Sequence, residues 1–159
     1  MSEAISAESI SKLKKRKRLI TVLLILTLAF IWGQSALPVE LSAKESDVVC
    51  GFLLRVFGME KPSVDDIADS VGLVRKIAHV VEFTALGILF TSLFRTKRDK
   101  IMAVTIGHSM LVAFLDESIQ ILSGRGPLIQ DVWIDTFGAV VGIGIVSLII
   151  VLRKGKNHV

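Results

Sequence analysis

Arg75, Lys76, His79, Glu82, Asp116, Glu117, Gln120, Arg125, Asp131 and Asp135 are residues of the kinds that bind, titrate or coordinate, most of them set at helical spacing. Arg75, His79 and Glu82 follow one another at i, i+4 and i+7, with Leu86 at i+11, and so share one narrow helical stripe. Asp131, Asp135, Gly138 and Gly142 repeat that spacing, and the glycines let a neighbouring helix approach closely. Ala113, Glu117, Gln120 and Gly124 make a third row, with Asp116 beside it. Lys76 and Arg125 complete the set. The five carboxylates (Glu82, Asp116, Glu117, Asp131, Asp135) exceed the three cations (Arg75, Lys76, Arg125) by two charges when His79 is neutral. His79 takes either state near neutral pH, and such an excess holds a proton or a cation.

Several chemistries fit these types. His79, Glu82, Asp116 and Glu117 are the candidates for a base, a nucleophile or a catalytic ligand. No cofactor is expected. His79, Glu82 and Asp135 come nearest to a set of ligands for a divalent metal, but the stripe has no second histidine and no H-E-x-x-H motif. Arg75, Lys76 and Arg125, with the N-terminus of the helix bearing the first two, suit an anion such as phosphate. Against all of these stands a polar network that only locks helices together.

The elements that must position these residues are membrane spans. The chain has 159 residues, 52% of them apolar, and a mean hydropathy of +0.64, too oily for a soluble domain of this size. Four segments, about 19–37, 74–94, 101–122 and 132–152, are long enough to cross about 30 Å of hydrocarbon at roughly 1.5 Å per residue. An all-α polytopic bundle of four transmembrane helices is expected. Basic clusters at 12–18, 95–100 and 153–156 hold 13 of the 19 Lys and Arg, and alternation puts all three on one side. By the positive-inside rule that side is the cytoplasm, with a basic tail over 1–18, the transmembrane domain over 19–152 and a second basic tail over 153–159, both termini inside a cell membrane. Glu82 then lies about 10 Å inside Arg75, and Asp116 about 9 Å before Leu122, so the charges gather in the outer leaflet.

The outer connection, 38–73, carries three basic and seven acidic residues. Within it Val49, Phe52, Leu53, Val56 and Phe57 follow helical spacing, the pattern of a short amphipathic helix that either lies on the outer surface or packs over the bundle mouth. Gly124, Gly126 and Pro127 make a turn carrying Arg125. The apolar run after Arg18 is long for a signal peptide and is expected to be retained as the first span. The single Cys50 excludes an intramolecular disulfide and a Cys-based zinc site and reads as structural. His108 is expected to stand apart from the polar stripes, and Trp32 and Trp133 read as interface anchors. With no Tyr and clustered rather than striped basic residues, nucleic acid is not an expected partner.

In this order, Val74-Arg75-Lys76-Ile77-Ala78-His79-Val80-Val81-Glu82-Phe83, Asp116-Glu117-Ser118-Ile119-Gln120, Gly124-Arg125 and Asp131-Val132-Trp133-Ile134-Asp135-Thr136-Phe137-Gly138 resemble the VanZ-like family over about residues 20–150. Gln34-Ser35, with Ser42 and Ser46 beyond, resembles the weaker Ser/Gln element of that family. The resemblance implies a multi-span protein whose namesake is associated with low-level teicoplanin resistance; it implies no reaction, and resistance is not carried over.

The expected function is binding, with modification left open, of an envelope lipid or anionic glycan headgroup in the outer leaflet by Arg75, Lys76, His79, Glu82, Glu117, Gln120, Arg125, Asp131 and Asp135. The alternatives are a structural ion-pair network and an intramembrane hydrolase or transferase using His79 and the carboxylates. A proton-coupled carrier is disfavoured, since the helices turn apolar below His79 and Asp135.

Overall fold

The structure is a computed structural model that describes residues 2–56, 58, 63–94, 98–124 and 129–155. It is all helical: α1 (Ser2–Ser35), α2 (Val39–Val56), α3 (Val64–Leu93), α4 (Arg98–Leu122) and α5 (Ile129–Gly155). Helices are what a chain this apolar must form in a bilayer, where no water is present to satisfy backbone polar groups. Three of them contain stretches long and apolar enough to cross a membrane, Glu8–Ser35, Met102–Leu122 and Ile129–Arg153.

The boundaries have local causes. Pro38 stops α1, and its carbonyl accepts from the amides of Leu41 and Ser42 at 3.0 Å each, opening α2. The Ser63 carbonyl accepts from Ile67 at the start of α3. Gly124, at φ 85°, closes α4 in the left-handed conformation that a residue without Cβ adopts freely. The centre of the following turn, with Arg125 and Pro127, lies outside the described residues.

The centre of the bundle is α3, packed against each of the other four helices. Its seam with α5 runs backbone to backbone. A Cβ on Gly138 would come within 2.6 Å of the Val80 carbonyl oxygen, and Cβ atoms on Gly142 and Gly87 would collide with the carbonyl oxygens of Thr84 and Ala139. The Thr84 hydroxyl sits 2.7 Å from the Val80 carbonyl oxygen and 3.0 Å from that of Gly138, so its proton is shared between α3 and α5. Leu24 and Ile31 of α1 meet Phe83, Leu86 and Phe90 of α3 and Val112 and Ala113 of α4 in a buried core. The outward faces are apolar: Leu19, Leu26 and Phe30 on α1, Leu111 and Phe114 on α4, Phe137 and Leu148 on α5 are all exposed, as on a protein that meets lipid rather than water.

Two expectations change in detail. The amphipathic helix expected around 49–57 runs from 39 to 56; it docks on α3 through buried Cys50 and Gly51, near Ile67, while Val49, Phe52 and Val56 stay exposed. The second correction concerns α3, which begins at Val64 rather than near 74. Arg75 and Lys76 are therefore three turns inside the helix, and the dipole at its N-terminus, which fades beyond the first turn, does not act at them.

Candidate functional site

At the end of the bundle opposite the basic clusters, the end of α1, the N-terminal half of α3, the end of α4 and the start of α5 bring their polar residues together. Asp116 is fully buried. Ser35 Oγ donates to its Oδ1 at 2.5 Å and Gln120 Nε2 to its Oδ2 at 2.8 Å, and Ser123 Oγ donates to the Ser35 carbonyl at 2.7 Å. Across from this set, His79 Nδ1 lies 3.3 Å from Asp135 Oδ1, with side chains 16% and 3% exposed. The approach is close enough for an ion pair but off-axis for a hydrogen bond, so both atoms are buried without a hydrogen-bond partner. Glu82, one turn below His79, is in electrostatic contact with His79, Asp116 and Asp135.

Two cavities flank His79. The larger, about 220 Å³, opens between α1, α2 and α3; Gln34, Ser35, Ser42, Glu45, Ser46, Arg75, His79 and Glu82 supply its polar wall. The smaller, about 140 Å³, lies between α3 and α5 and is lined by Gly72, Arg75, Lys76, His79, Asp131, Ile134 and Asp135. Arg75 and His79 face both. No ion pair joins Arg75 or Lys76 to a carboxylate among the described residues.

Against the expected site, the structure brings together Arg75, His79, Glu82 and Asp135, with Lys76 and Asp131 at the smaller cavity. Gln120 reaches the cluster through Asp116. Glu117 is buried and lines an apolar groove of about 410 Å³ with Phe114, Val132 and Trp133. Asp116 takes the place expected for Glu117, because the row that α4 buries runs through Thr105, Ser109, Val112, Ala113, Asp116 and Gln120. Arg125 lies outside the described residues. Two contributors escaped the sequence reading. Glu45 is at i+3 from Ser42, and that spacing along α2 was its signal; Ser35, noted only in a family motif, holds Asp116.

Polar matter also occurs farther down. Thr91, Thr105 and Ser109 are buried with hydroxyls that lack partners, but Phe83, Leu86, Val112 and Ala113 separate them from Asp116 along the helices. His108 is apart from the site, its Nδ1 2.7 Å from the Val104 carbonyl and its ring 5.1 Å from that of Phe94.

With this arrangement in view, comparison with known proteins gives one result: residues 20–151 match the family model VanZ/LLP1. The chain belongs to the VanZ/LLP1 family. The match takes in every residue of the cluster, from Ser35 on α1 to Asp135 on α5. No curated protein and no solved structure matches this VanZ/LLP1 chain, so the cluster's chemistry has to be argued from its own geometry.

Proposed function

We propose that this VanZ/LLP1 protein crosses the cell membrane four times, with α3 as the fourth span beside the three apolar helices and both termini in the cytoplasm, and that its outer-leaflet pocket binds the anionic headgroup of an envelope lipid or lipid-linked glycan. The observation that carries the reading is Arg75, a permanently charged guanidinium that lines two cavities and forms no ion pair with a described residue although carboxylates stand nearby. A cation held off its own counterions is suited to a bidentate phosphate. The volume fits this ligand class: 220 Å³ is below the roughly 300–1,000 Å³ of pockets for drug-sized ligands, which suits a headgroup whose tails remain in the bilayer. Ser42 on α2 supplies a hydroxyl donor for a phosphate or sugar oxygen, while the hydroxyls of Ser35 and Ser46 donate to Asp116 and to the Ser42 carbonyl.

The hydrogen-bonded half of the cluster supports a second, structural role. Ser35, Asp116, Gln120 and Ser123 satisfy one another and tie α1 to α4, as a locking network would.

The test is native mass spectrometry of protein extracted with its lipids. An isoprenoid-linked or phospholipid species should co-purify with the wild type and be lost from Arg75→Ala. Retention of the same lipids by Arg75→Ala, or their absence from both, would remove the binding reading and leave the locking network.

A further inference from the structure

We propose that His79, Asp116 and Asp135 form a site for a divalent first-row transition cation, with the imidazole Nδ1 and one oxygen of each carboxylate as ligands. This does not rest on headgroup binding, since it is drawn from the three side chains alone. Each comes from a different helix, α3, α4 and α5, and the three ligand atoms lie within 4.8 Å of one another. Bonds of about 2.0–2.2 Å place adjacent ligand atoms roughly 3.0–3.4 Å apart and opposite ones up to about 4.4 Å, so edges within the 4.8 Å bound close by a few tenths of an ångström for an opposite pair and by up to about 1.4 Å for an adjacent one. The His79–Asp135 edge, at 3.3 Å, has that spacing already.

The state of the atoms points the same way. His79 Nδ1 and Asp135 Oδ1 are both buried, Asp135 only 2% exposed, and among the described residues each is met only by the other, at 3.3 Å and in poor hydrogen-bond geometry. Each faces the other, and Asp116 offers a carboxylate oxygen within 4.8 Å of a ligand atom of both residues. Asp116 is held from behind, Ser35 and Gln120 each donating to one of its oxygens, which is how outer partners orient a ligating carboxylate while leaving lone pairs free. Charge agrees as well. Glu82, Asp116 and Asp135 bear on His79, and no Lys or Arg pairs with any of them among the described residues. Two positive charges at the centre would offset that excess where paired burial is required.

The ligand chemistry narrows the metal. One imidazole with two carboxylates suits Mn²⁺ to Zn²⁺ better than Mg²⁺ or Ca²⁺, which favour oxygen alone. Three protein ligands leave positions open, and His79 borders both cavities, so those positions face solvent or a bound group.

The experiment uses the full chain in detergent, free of any affinity tag, stripped with EDTA and titrated with MnCl₂, ZnCl₂ or MgCl₂ without added lipid. One Mn²⁺ or Zn²⁺ per chain is expected, with Mg²⁺ at least tenfold weaker. His79→Gln, Asp116→Asn and Asp135→Asn should each weaken Mn²⁺ binding at least tenfold, Ser35→Ala by about 10–100-fold as a positioning residue, and His108→Gln should leave it unchanged. Because a variant in the core can fail to fold, pulsed EPR of Mn²⁺ on the wild type gives a second readout: coupling to a directly bonded imidazole nitrogen. Stoichiometric binding with that coupling, lost in His79→Gln, supports the site. No binding by the wild type, no nitrogen coupling, or undiminished binding by a folded His79→Gln variant overturns it, whatever lipids co-purify.

Discussion

Two acids in the same cluster should respond oppositely to removal. Asp116 receives hydrogen bonds from Ser35 and Gln120, and Asp116→Ala leaves both donors buried and unpaired, a loss of about 1–3 kcal/mol. Glu82 has no hydrogen bond or ion pair with a described residue, and its burial, together with Asp116 and Asp135 nearby, disfavours its charge, with His79 acting the other way. We expect Glu82→Gln to keep or raise the melting temperature in detergent with EDTA, and Asp116→Ala to lower it; thermal unfolding of the two variants side by side is the check, and unfolding of Glu82→Gln would mark Glu82 as part of the locking network. These roles were only partly legible in the sequence. The stripes on α3 and α5 put Arg75, His79, Glu82 and Asp135 on facing sides, because helical spacing alone decides that. Asp116 and Glu117 are consecutive, about 100° apart on the helix, and spacing has no means of choosing between them. The choice is made by where α1 and α5 press on α4, which is tertiary information.

Polarity marks where a chain leaves the bilayer and says little about where a helix ends, which is why α3 was read ten residues too short. Asp65, Asp66 and Asp69 close the apolar run but do not break helical geometry. Pro38 and Gly124, which act on the backbone itself, stand just beyond the ends of α1 and α4, where the apolar runs also stop. The glycines of α5 divide in a similar manner. Gly138 and Gly142 sit against the backbone of α3, whereas Gly144 has nothing within 4 Å. Gly142→Leu should therefore drive α3 and α5 apart and destabilise by about 1–3 kcal/mol or more, while Gly144→Ala, relieved of glycine's poor helix propensity, should be neutral or stabilising. Melting curves of both variants test the seam, and an unaffected Gly142→Leu would mean that the helices do not meet there. Since His79 and Asp135 belong to these two helices, Gly142→Leu should also weaken Mn²⁺ binding.

Across the chain the four-span reading fixes which loops face out. Cys50 is fully buried, so introduced thiols can be read against a quiet background. A cysteine at Ser63 should react with an impermeant reagent in intact cells and one at Thr96 should not; the reverse pattern would invert the molecule and put the pocket in the cytoplasmic leaflet. The polarity of α3 also bears on how the chain is made. On the four-span reading α3 carries Arg75, Lys76, His79 and Glu82 into the membrane, where a charge costs up to roughly 2.5–3.5 kcal/mol at mid-depth on insertion scales. Those groups are covered by α1 and α2 at the larger cavity and by α5 at the smaller, and α5 leaves the ribosome only after α4. On that reading, full integration of α3 is expected to await the last helix, which sets Asp135 opposite His79. A chain stopped after Gly124 should leave α3 stranded on the far side, and Thr96→Cys, silent in the full-length protein, should then become reactive from outside the cell.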